Sequence, residues 1–134
     1  LNAKFRIAEN EDVLAFIERE NPSAHDDVAS VLTASAEGLP DVQWYCPDAL
    51  SYAFMVLHTR DNRIFAIAFG MSGLAYRVPP KQIPEAAAEG GSPCSQIGAD
   101  WILLAPWPRG AAPQAAAPNL RHWSKIAHDY VVQL

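Results

Sequence analysis

The chain has 134 residues, half of them hydrophobic, which is enough for one domain with a full core and leaves little for a second. Fifteen acidic residues against ten basic ones give a formal net charge of -5, and the Lys and Arg positions are scattered, so the basic footprint of a nucleic-acid binder is missing and no nucleic-acid partner is expected. No apolar run approaches the roughly 18 residues of a bilayer-spanning helix, and residues 1–8 lack the apolar segment of a secretion signal. A membrane role is therefore not expected and the default location is cytoplasmic, although the start at Leu1 leaves room for a removed upstream segment.

In chain order, residues 3–8 (AKFRIA) read as a short edge strand. Asn10 then stands where an N-cap would, before a helix with Val13, Leu14, Phe16 and Ile17 on one side, and Asn21-Pro22 stops it. A second helix begins at Ser23, whose hydroxyl can cap it, with Asp26 and Asp27 in the first turn and Val28, Val31, Leu32 and Ala36 on its buried side. Gly38 closes it. The short link predicts a helical hairpin. Residues 42–46 (VQWYC) read as a strand broken by Pro47.

The strongest signal lies in residues 50–78, where three apolar runs are separated by Arg60-Asp61-Asn62-Arg63 and Gly70-Met71-Ser72-Gly73. This predicts an antiparallel meander. Two four-residue turns place Val56 opposite Ile67, Leu57 opposite Ala66, His58 opposite Phe65, Ile67 opposite Tyr76 and Ala68 opposite Ala75. In that register one face is bulky, with Tyr52, Phe54, Val56, Phe65, Ile67, Phe69, Leu74, Tyr76 and Val78. The other is small, with Ala53, Met55, Leu57, Ala66, Ala68 and Ala75, and carries the single charge of Arg77.

After Pro79-Pro80 the sequence predicts an alanine-rich helical turn from Pro84 to Glu89, stopped by Gly90-Gly91, and residues 100–105 (DWILLA) return as a strand apolar on both faces. Residues 106–118 hold four prolines and no hydrophobic period, so they read as an extended connection. A final helix starts near Asn119, with Leu120, Trp123, Ala127, Tyr130, Val131 and Leu134 at helical spacing. The expected whole is one α+β domain over residues 1–134: an antiparallel sheet of four to five strands, the meander 50–78 plus the strand near 100–105, with an N-terminal helical hairpin and a C-terminal helix.

Chemistry is sparse. There is no phosphate-binding glycine loop, dinucleotide fingerprint, nucleophile elbow or zinc-protease motif, and Cys46 and Cys94 are too few for a disulfide framework or a structural zinc set. Free thiols are expected, with a single Cys46–Cys94 bridge as the alternative, and no metal or cofactor is expected. His25 with Asp26 and Asp27 reads as a helix start, and His122 and His128, six apart, fall on different helix faces and read as surface residues. His58 is the candidate general base, with Cys46 as a thiolate or Asp48 as its carboxylate partner, in an alternative reading of the chain as a cofactor-independent enzyme.

The favoured reading is a small non-enzymatic domain that binds a ligand or a protein. Its candidate binding residues are Ala66, Ala68 and Ala75 on the small face, which either admits a helix closely or leaves a cavity; Arg77, whose planar fork suits a carboxylate or phosphate; and Trp107, held between Pro106 and Pro108 and either displayed or folded onto the core. A third reading is a homodimer completed through the sheet.

Overall fold

The computed structural model describes residues 4–47, 53–107 and 118–134. Within them the chain runs α1 (Ile7–Glu20), α2 (Asp26–Ser35), β1 (Gln43–Tyr45), β2 (Met55–His58), β3 (Ile64–Phe69), β4 (Gly73–Arg77), α3 (Ile83–Ala88, after a single 3-10 turn at Pro80–Gln82), β5 (Ser92–Pro93), β6 (Trp101–Leu104) and α4 (Pro118–Val132). The strands form one antiparallel sheet of order β1-β2-β3-β4-β6-β5, two of them short. The α+β class holds, with six strands where four to five were expected.

The centre of the sheet is buried on both faces, which is why strand β3, Ile-Phe-Ala-Ile-Ala-Phe, has no polar position. On one face α1 and Phe5 pack over Val56, Ile64, Ile67, Ala75 and Trp101. On the other, α2 and α4 bring Val28, Val31, Leu32, Leu120, Trp123, Ala127 and Val131 onto Leu57, Phe65, Ala66, Ala68, Tyr76 and Ile102. The expected helical hairpin is therefore absent: α1 and α2 lie on opposite faces. Asn21, in the left-handed region at φ 44°, and Pro22 end α1, and the link passes the end of the sheet beside the β3–β4 turn. There the Gly70 amide donates to Ser23 O, and the His25 amide donates to Gly70 O at 2.9 Å.

Two further expectations fail near the chain's start. Residues 4–8 form a turn and the beginning of α1 instead of an edge strand. Asn10 is not the cap but a kink inside α1, at φ −135° and ψ 24°. Its buried amide bridges three backbones: Nδ2 donates to Arg6 O and Asn62 O, both at 3.0 Å, and Oδ1 accepts from the Ile64 amide at 2.8 Å. The cap of α2 is His25 rather than Ser23, with Nδ1 accepting from the Asp27 amide at 3.1 Å. The acidic first turn that follows matches the helix dipole as expected.

The register is right on one side of β3 and slips by one on the other. Val56 faces Ile67 and Leu57 faces Ala66, but Ile67 faces Ala75 and Ala66 faces Tyr76. The β3–β4 connection has three residues, because Gly73 already pairs with Phe69, so close that a Cβ there would sit 2.6 Å from Phe69 O. Gly70, at φ 70°, supplies the left-handed position such a loop uses. A β-bulge at the far end of β3 makes Phe65 the extra residue, so His58 faces Ile64, and Phe65 joins Ala66 on the α2/α4 face. Neither face is uniformly bulky or small.

Candidate functional site

Charge collects where β4 ends. Val78 and Pro79 stop that strand, and Arg77 pairs with Trp101, which places Asp100 beside it. Arg77 Nε donates to Asp100 Oδ2 at 2.7 Å and Nη1 to Glu9 O, at the start of α1, at 3.1 Å. The Tyr130 hydroxyl of α4 donates to the same Asp100 oxygen at 3.3 Å, and the guanidinium lies 6.0 Å from the Tyr130 ring centre. Burial first, then the Asp100 charge, raises the Tyr130 pKa, so the phenol stays a donor. The Arg77 and Asp100 side chains are only 22% and 14% exposed.

In front of this cluster lies a cleft of about 280 Å³ lined by Ala8, Glu9, Arg63, Arg77 and Leu134. Arg63 enters from the β2–β3 turn and is tethered by Nη1, which donates to Val131 O at 3.2 Å and Val132 O at 3.4 Å, near the C-terminal end of α4. Glu9 Oε1 accepts from the exposed Arg6 at 3.0 Å, while Oε2 is buried without a hydrogen-bond partner. Nη2 of Arg77 and of Arg63 donate to no acceptor among the described residues. The cleft is therefore lined by two tethered cations and by a glutamate whose Oε2 is buried without a donor.

Compared with known proteins, the chain matches no family model, and no curated protein and no solved structure is significantly similar to it. Function has to be read from the site itself.

The other sequence candidates are placed apart. Ala66 and Ala68 are fully buried under α2 and α4, and Ala75 lies on the α1 face, so the alanines line no common cavity. Trp107 is half-buried and packs against the α2/α4 core; residues 108–117 of the proline-rich stretch lie outside the described part.

His58 is fully buried on the α1 face, edge-on to Phe5 with ring centres 5.1 Å apart. Its Nδ1 sits 2.9 Å from Thr59 O, and its Nε2 is buried without a partner. Burial pulls its pKa down, helped by the Lys4 charge and opposed by the Thr59 bond. It pairs with Gln43, three residues before the half-buried thiol Cys46; Asp48 lies outside the described residues. Cys94 is buried and in no disulfide, and burial raises its pKa.

His128 corrects the surface expectation. It is buried, edge-on to Phe65 at 5.5 Å between ring centres, with Asp129 Oδ1 at 3.6 Å from Nδ1. Two further concavities, about 250 and 270 Å³, flank the contact of Ser23 with Gly70, one bordered by Ala24, His25 and Met71, the other by Phe16, Pro22 and Phe69. Among the described residues no group of three or more His, Cys, Asp or Glu is placed to hold a metal.

Proposed function

We propose that the chain is a small non-enzymatic binding domain that takes a carboxylate- or phosphate-bearing small molecule in the Arg63/Arg77 cleft. The observation that carries the reading is the posture of Arg77, a residue that lines the cleft: Asp100 and Glu9 O fix its Nε and Nη1, leaving Nη2 without an acceptor among the described residues. A guanidinium held in this way meets an oxyanion with little further ordering, and Arg63 supplies a second fork from another element. At about 280 Å³ the cleft sits near the lower end of the roughly 300–1,000 Å³ typical of small-molecule sites, so it fits a compact ligand and not a polymer.

The test is an amide chemical-shift titration with acetate and with inorganic phosphate. Saturable shifts at Ala8, Glu9, Arg63 and Arg77, lost in Arg63→Gln, are expected. Shifts spread over the surface without saturation would dismiss the site.

A second reading, self-association through the sheet, has one observation in its favour: β1 ends the sheet and carries Trp44 at 60% exposure. Light scattering across a concentration series decides it, and Trp44→Lys should abolish any dimer seen.

A further inference from the structure

Resting on the anion reading, we infer that the cleft selects a zwitterion, an ammonium and a carboxylate on one small framework with an apolar side group, as in a free aliphatic amino acid. The argument starts from what a bare anion would meet. Glu9 lines the same cleft as Arg63 and Arg77, so an anion that reaches the two guanidinium groups also approaches a like charge. Asp100, bonded to Arg77 Nε, already offsets part of that arginine's charge. The lining is thus of mixed sign, and an oxyanion alone answers only half of it.

The unmatched hydrogen-bonding groups point the same way. Arg77 and Arg63 each keep an Nη2 that donates to nothing among the described residues, and Glu9 keeps Oε2, buried and without a donor. Buried acceptors are nearly always paired, and Glu9, with its orphaned Oε2, lines the same cleft as both arginines, so a ligand that brings both a donor and an acceptor matches that lining. A carboxylate answers the arginines, an ammonium with three donors answers Glu9, and Ala8 with Leu134 offers apolar wall for a short aliphatic group. Neither Arg6 nor Asn10 competes for Oε2: Arg6 is bonded to Oε1, and the Asn10 amide is spent on backbone partners.

The experiment uses three matched probes on the whole chain: L-leucine, 4-methylpentanoate, which lacks the amine, and 3-methylbutylamine, which lacks the carboxylate. Amide shifts at Ala8, Glu9, Arg63 and Arg77 report occupancy. L-Leucine should bind at least tenfold more tightly than either fragment. In Glu9→Gln that advantage should vanish while 4-methylpentanoate binds as well as before or better, because a like charge has gone.

Equal binding of L-leucine and 4-methylpentanoate would overturn the zwitterion and keep the anion reading. The amine binding best would overturn both, and so would no saturable response to any probe. Because the three-probe comparison needs only the parent chain, a Glu9→Gln variant that fails to fold does not remove the test.

Discussion

The two faces of the sheet are covered differently, and the difference separates stability from chemistry. On the α2/α4 face two helices meet the strands, and Tyr76 donates to Ser35 Oγ at 2.8 Å, with burial pushing its pKa up. On the α1 face a single kinked helix does the covering, and polar groups gather at its margins: Asn10 and His58 toward the β2–β3 turn, Arg77 with Asp100 and Glu9 at the end of β4. A sheet lined by one helix leaves its ends open, and there the chain keeps charged side chains with unused hydrogen-bonding capacity. The α2/α4 face instead keeps Ser124 Oγ and His128 Nδ1 of α4 buried without a hydrogen-bond partner.

The largest effect expected from this contrast is at Trp123, fully buried on α4, whose indole Nε1 donates to Glu89 Oε1 at 3.2 Å. Trp123→Ala should cost about 3–5 kcal/mol of unfolding free energy, and Leu14→Ala on the α1 face less, near 2 kcal/mol. Denaturant melts compare them. If Leu14→Ala proved the more damaging, the α2/α4 face would not be the principal source of stability.

Next comes overpacking. Ala68, fully buried opposite Leu74 and Met55, lies under α2 and α4, so Ala68→Leu should cost about 1–3 kcal/mol. An unchanged midpoint would mean that the helices yield at no cost and that the face is loosely covered.

A comparable loss, about 1–3 kcal/mol, is expected for Asn10→Ala, because the Ile64 amide would be left buried without its acceptor. Hydrogen exchange gives the sharper readout. Protection should fall at Ile64 and in the β2–β3 turn while the α2/α4 face stays protected; uniform loss would show that the two faces do not respond separately.

These variants also mark what the sequence could reveal. The β2–β3 pairing was legible because Val56 and Leu57 continue an unbroken strand and meet Ile67 and Ala66 at the expected count. The β3–β4 pairing was not, since Gly70 and Gly73 bracket either a three- or a four-residue loop. The choice is made with a distant partner, the Ser23–His25 link that bonds to Gly70. The bulge at Phe65 is likewise invisible locally: it sits beside the Ile64 amide that Asn10 binds from α1. Arg77 could be singled out by type and strand position. Its neighbours could not, because Glu9, Arg63, Asp100 and Tyr130 come from separate parts of the chain and share no spacing. His128 was misread because its place on α4 said nothing of Phe65 turning toward it.

The smallest effect expected is a pH slope carried by His58. Its ring is sealed by Phe5 with Nε2 unpartnered, so the folded state favours the neutral form and the pKa lies below the ordinary 6.5 of the unfolded chain. As pH falls below 6.5 the unfolded chain takes up the proton first. The stability this histidine contributes is therefore whole above 6.5 and drains away toward the lower folded pKa, with a slope of at most about 1.4 kcal/mol per pH unit. The charge of Lys4, which lies over the neighbouring Phe5 ring, adds to the penalty on the imidazolium. Denaturant melts of the parent and of His58→Phe at pH 7, 6 and 5 isolate the effect, since the phenyl ring can occupy the site but cannot titrate. The parent should lose ground to the variant as the solution becomes more acidic. On the other face, the gap between the parent and Tyr76→Phe should stay constant over the same range, because a phenol whose pKa is raised does not ionise there. A His58→Phe gap equally flat with pH would show that the histidine finds water or a partner on protonation. The α1 face would then be no more sensitive to acid than the face beneath α2 and α4.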